Sequence, residues 1–113
     1  MKSKIDTVME SLGFEFDLRP SFQSDNTDMF CSLGYSKDRI FVRFDYTIDN
    51  MLAKISYYSE STLIGSISAM ETLVSIIKEL DIYPQNWLQY SDDTEFTILS
   101  QNTKDRIDIT NML

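Results

Sequence analysis

The spacing of apolar and polar residues changes period several times along this chain, and each change predicts an element. Ile5, Val8, Met9 and Leu12 follow the i, i+3, i+4, i+7 rule of one helical face. Ser3 with Asp6 three residues on resembles a capping box, and it places an acid in the first turn, where the helix dipole favours it. Gly13 predicts the stop, because the residue after a helix often needs a left-handed backbone. Phe14, Phe16 and Leu18 then alternate with Glu15 and Asp17 in a short extended segment that ends at Arg19-Pro20. Residues 21–28 are polar and predict a loop.

The middle of the chain has period two. Residues 29–35 are apolar, and Ser36-Lys37-Asp38 predicts a turn. Ile40, Val42, Phe44 and Tyr46 alternate with Arg39, Phe41, Arg43 and Asp45, the clearest strand of the sequence. After a second turn at Asp49-Asn50, residues 51–58 place Met51, Ala53, Ile55 and Tyr57 on one face and Leu52, Lys54, Ser56 and Tyr58 on the other. A sheet apolar on one face requires a helix. The segment Ser66–Leu80 supplies it, with Met70, Leu73, Val74, Ile77 and Leu80 as the predicted stripe and Ser68-Glu71 as a second capping pattern. Residues 62–65 either prolong the preceding strand or add a helical turn.

Ile82-Tyr83-Pro84 predicts the end of that helix. Residues 95–100 and 106–110 predict a closing hairpin around Gln101-Asn102-Thr103-Lys104. The expected fold is therefore α+β: an antiparallel sheet of about four to five strands with helices on one face, in the order α-β-β-β-α-β-β, as a single domain over residues 1–113. No fixed-period repeat occurs, and the low glycine and proline content argues against a linker.

Charge sharpens this picture. Eighteen Asp and Glu stand against ten Lys and Arg, with no histidine, for a net charge of −8. Without histidine, the usual activation of a serine or cysteine nucleophile is missing. Gly13, Gly34 and Gly65 stand singly, so no glycine-rich phosphate loop is present. The chain reads as non-enzymatic and without a cofactor. Cys31, the single cysteine, reads as a small buried hydrophobe in or beside a strand. The first residues do not resemble an apolar signal core and no run is long enough to span a membrane, so a cytoplasmic location and no membrane partner are expected.

The acids concentrate toward the C-terminal third: Asp81, Asp92, Asp93, Glu95, Asp105 and Asp108 face only Lys104 and Arg106. Asp92-Asp93-Thr94-Glu95 offers hard oxygen ligands of the kind calcium or magnesium takes, but it reads better as a solvated turn; Asp105 and Asp108 suit a charged strand edge. Tyr83, Trp87 and Tyr90 cluster near a proline-bearing connector, with Trp87 expected to plug the core, and Tyr57-Tyr58 must place one ring on each face of their strand. The residues expected to meet a partner are Tyr58, Asp81, Tyr90, Asp92, Asp93, Glu95, Asp105 and Asp108.

Such a surface repels nucleic acid, whose phosphates dominate its affinity, and attracts basic grooves. Lys37, Arg39 and Arg43 are expected to form at most a small basic patch. The expected partner is another protein with a basic groove, met by a monomer or homodimer. Small viral and mobile-element antagonists, including anti-CRISPR and anti-restriction proteins, are often similar in size and acidity, and imply an inhibitor acting as a phosphate mimic. The alternative is an acidic chaperone or immunity-type partner; the element order is loosely similar to type III secretion chaperones, which usually close with a further helix.

Overall fold

A computed structural model describes residues 2–17, 23–24, 29–59, 66–92 and 94–113. The fold is α+β, with helices α1 (Lys4–Ser11) and α2 (Ser66–Leu80) and strands β1 (Glu15–Asp17), β2 (Gln23–Ser24), β3 (Met29–Lys37), β4 (Ile40–Thr47), β5 (Met51–Ser59), β6 (Trp87–Ser91), β7 (Glu95–Ser100) and β8 (Ile107–Asp108). The strands form one antiparallel sheet in the order β1-β3-β4-β5-β7-β6, with β2 beside β3 and β8 beside β5.

Local chemistry explains the first helix. The Ser3 hydroxyl accepts the Asp6 N–H at 3.0 Å, as the capping pattern predicts. At the other end Gly13 takes φ 90°, so that its N–H reaches Glu10 O and the Phe14 N–H reaches Met9 O, both at 2.9 Å. Asp38 (φ 53°) and Asn50 (φ 63°) occupy the left-handed positions of the β3–β4 and β4–β5 turns, which short Asp and Asn side chains tolerate best.

Strand pairing then collects apolar residues on one face. Tyr35 lies opposite Val42, Val42 opposite Tyr57, and Tyr57 opposite Phe96; Phe44, Ile55 and Ile98 form the next row. These residues share a single buried cluster with Ile5, Val8 and Met9 of α1 and Ala69, Leu73, Ile76 and Leu80 of α2. Each large side chain so buried contributes on the order of 1.5–3 kcal/mol.

Five expectations are corrected by long-range packing. Alternation in β5 breaks where Tyr46 pairs with Leu52 while Asp45 pairs with Lys54, so Ala53 is an extra residue and Leu52 joins the core. Helix α2 is apolar over a broad arc and settles on Ala69, Leu73, Ile76 and Leu80, which leaves Met70 42% and Val74 55% exposed on the outside; Ser68 lies within the helix rather than ahead of it. Residues 95–100 and 106–110 do not form a hairpin. Instead β7 pairs with β5 and β6, β8 pairs with the start of β5, and Thr103–Asp105 between them is a turn of 3-10 helix. The sheet also exceeds the expected four to five strands, because Glu15–Asp17, Gln23–Ser24 and Trp87–Ser91 all pair. Cys31, expected as a buried hydrophobe, lies in β3 and is only partly buried. The rest of the loop expected at 21–28, and the choice at 62–65, lie outside the described residues.

Tyr35 joins the layers. Its ring has no exposed surface and meets Phe16 and Phe44 edge-on, and its hydroxyl donates to Asp6 Oδ1 at 2.5 Å. Burial, and then the Asp6 hydrogen bond and charge, push the hydroxyl far above the ordinary tyrosine range. The unfolded chain therefore releases this proton near pH 10 while the folded chain retains it, so the stabilisation is complete below about pH 10 and declines as pH rises beyond it. Denaturant titrations at a series of pH values should show that decline, and Tyr35→Phe should reduce its slope while costing about 1–2 kcal/mol at neutral pH through the lost donor to Asp6.

Candidate functional site

The helices cover one face of the sheet, and the second face carries a mixed set of side chains. By strand register, one row runs Ser36, Phe41, Tyr58, Glu95; the next runs Gly34, Arg43, Ser56, Thr97; a third runs Ser32, Asp45, Lys54, Leu99, Leu88. Tyr57 is buried in the core and Tyr58 is half-buried on this second face, as strand alternation requires. Tyr90 is placed opposite Thr97 by the same register.

Arg43 organises this surface. Its Nε lies 3.2 Å from the Asp45 carboxylate, and its guanidinium sits 5.6 Å from the centre of the Tyr58 ring. Ser32 donates to Asp45 Oδ1 at 2.5 Å, so the buried carboxylate has both a charge partner and a hydroxyl donor. Phe41 leans against Tyr58 with ring centres 6.2 Å apart and lies across Gly34, where an added Cβ would come within 2.4 Å of its Cζ. Burial raises the Tyr58 hydroxyl above its ordinary value, Arg43 opposes that and Glu95 adds to it; the group remains a neutral phenol around pH 7 and serves as a hydrogen-bonding tip.

The expected basic patch does not assemble. Lys37 points to the end of α1, where its amine donates to Leu12 O at 3.1 Å, while Arg43 lies on the opposite face and Arg39 sits in the exposed β3–β4 turn. Lys4 treats the end of α2 likewise, donating to Leu80 O at 3.0 Å. Both cations sit where a helix C-terminus favours positive charge.

The acids occupy separate places with separate local jobs. Asp92 closes the β6–β7 hairpin: its carboxylate accepts the N–H groups of Thr94 at 3.0 Å and Glu95 at 2.9 Å. Glu95 accepts the Thr97 hydroxyl at 2.7 Å and lies opposite Tyr58. Asp93 lies outside the described residues. At the other end, Asp105 accepts from Asn86 and Asn102 at 3.4 Å each, and its carbonyl takes the Trp87 indole N–H at 2.8 Å. Trp87 is half-buried against the core, as a plug should be. Asp108 is exposed and held below its ordinary pKa by the hydroxyl and N–H of Thr110. Asp81 ends α2 at φ 57° and accepts the exposed Tyr83 hydroxyl at 2.5 Å.

Register sets the spacing. From Met51, opposite Asp108, to Tyr58, opposite Glu95, is roughly 20 Å along β5 at about 3.3 Å per residue. That exceeds a screening length of about 8 Å, so the acids make two fields rather than one. Among the described residues, no group of three or more acid, cysteine or histidine side chains could hold a metal ion, and no helix is long and apolar enough to cross a membrane. The sequence reading missed Phe41, the Arg43–Asp45 pair and strand β6. Arg-x-Asp on one strand face was the available signal for the pair, since residues two apart point the same way.

Two substitutions test this geometry. Asp81→Gly should raise stability by about 0.5–1 kcal/mol, seen as a higher thermal midpoint, because it removes a Cβ from a left-handed backbone and an anion from a helix C-terminus. Gly34→Ala should cost about 1–3 kcal/mol by displacing the Phe41 ring. In a Phe41→Ala background most of that cost should vanish, and a cycle of the four proteins measures it.

No family model matches this chain, and no curated protein or solved structure matches it significantly.

Proposed function

We propose that this chain is a non-enzymatic protein-binding module, an inhibitor whose anionic surface occupies the basic groove of a nucleic-acid-handling protein in place of phosphate. The observation that carries the reading is the unequal disposition of charge. Lys4 and Lys37 are engaged by helix-end carbonyls, Arg43 by Asp45 and Lys2 by Glu10, whereas Asp92 and Asp108 are exposed around the last three strands. Four of the ten cations are thus engaged by protein acceptors, and with eighteen acids on the chain the net surface charge is negative, which repels nucleic acid and attracts its binding proteins. Anti-CRISPR and anti-restriction antagonists from viruses and mobile elements act in this chemical manner.

A masking role, as a chaperone or immunity-type partner, has a different support. Met70 and Val74 stand one turn apart on the outer face of α2, both substantially exposed, and such a pair suits apolar contact with a protein or a second copy. Contact there would be insensitive to salt.

Capture from the native host separates the two. An acidic-surface inhibitor should retain a basic protein, with affinity falling at least tenfold between about 50 and 500 mM salt. Asp92→Asn, Asp105→Asn and Asp108→Asn together keep side-chain carbonyls for the turn hydrogen bonds while removing charge, and should slow association several-fold with little change in dissociation. Salt-independent binding lost on Met70→Ser and Val74→Ser would replace this reading with the masking one.

A further inference from the structure

Strand β6 ends the sheet, and among the described residues no strand pairs with its outer edge. Its partner β7 takes every second residue. Asp92 N–H bonds Glu95 O at 2.8 Å, and in an antiparallel ladder that register makes Tyr90–Thr97 and Leu88–Leu99 the other hydrogen-bonded pairs. The N–H and C=O groups of Trp87, Gln89 and Ser91 consequently point away from the sheet. Gln89 and Ser91 are exposed, and Leu88 is 49% exposed on the face that carries no helix.

Proteins normally blunt such an edge with charge, proline, a bulge or brevity. At the opposite edge the described strand β1 carries charge, since two of its residues are Glu15 and Asp17. Strand β6, Trp-Leu-Gln-Tyr-Ser, has five residues with no charge, no proline and a regular register. The acids instead stand at its ends: Asp105 is tied to Asn86 and Trp87 at the start, and Asp92 follows Ser91 at the finish.

From this we infer that the outer edge of β6 is a strand-addition site for an extended, basic segment of a partner protein. The segment pairs with the outward groups of Trp87, Gln89 and Ser91, lays an apolar side chain beside Leu88 and places Lys or Arg toward Asp105 and Asp92. Charge complementarity selects this occupant over a second copy of the chain, which would bring the same carboxylates and a net charge of −8 to the same edge. The inference rests on the acidic protein-binding reading and names the surface and the kind of partner.

The test uses the full chain and fluorescein-labelled octapeptide pools, one alternating Lys or Arg with randomised Val, Thr or Leu, the other with Glu in place of the bases. The basic pool should bind and the acidic pool should not. Binding should slow hydrogen exchange at the Gln89 and Ser91 amides and shift the emission of Trp87, the chain's one tryptophan. Gln89→Pro removes an outward N–H without touching the β7 ladder, so it should fold with an unchanged far-ultraviolet spectrum and bind the basic pool at least tenfold more weakly. Gln89→Lys, which keeps the N–H and adds a repelling charge, should weaken binding in the same direction. Equal binding by the proline variant, protection that maps elsewhere, or edge amides already protected in a self-paired dimer would overturn the inference. Salt-sensitive capture of a basic host protein that survives Gln89→Pro would overturn this site while leaving the acidic inhibitor reading in place.

Discussion

The hydrogen bond from Tyr35 to Asp6 fixes the helix layer on the sheet. It joins the C-terminal half of β3 to the first turn of α1, and the same tyrosine ring packs edge-on against Phe16 and Phe44. A slip of β3 by one residue would turn the ring to the other face and remove both the ring contacts and the donor to Asp6. Asp6 is itself positioned by the Ser3 cap, so a local helix signal and a long-range tertiary contact meet on one residue. The distribution of charge and apolar surface over the remainder of the protein follows from which face that choice buries.

Features set by neighbours in the chain were legible beforehand. The Ser3 cap, the Gly13 stop, the alternation of β4 and the end of α2 at Leu80 depend on residues a few positions apart. The α+β class followed from them. What the sequence concealed depends on partners far along the chain. Trp87–Ser91 lacks β-branched residues and follows Pro84, so its two aromatic residues are a weak local strand signal; pairing with β7 makes it one. Residues 101–104 have turn composition, yet β8 finds its partner in β5, and Ile109 N–H closes that join on Asn50 O at 2.9 Å. The rotation of α2 was concealed because several apolar stripes compete around it, and the face that wins includes the small Ala69, buried in the core cluster.

The candidate partner residues were partly legible for the same reason. An excess of acids near the C-terminus is visible in composition, but their separation is a property of sheet register. Asp92, Asp105 and Asp108 each also bind a turn N–H or a side-chain donor, which makes them structural as well as charged. Turn closure places such carboxylates at strand ends, which is where they flank β6.

The strand order also carries a kinetic consequence. Strands β3, β4 and β5 follow one another through short turns, so their contacts close small loops, whereas Tyr57 meets Phe96 only after the chain has travelled through all of α2. Closing that longer loop costs more chain entropy before any contact compensates it. The three-stranded meander is thus the natural nucleus, and the β6–β7 hairpin docks onto a surface already formed.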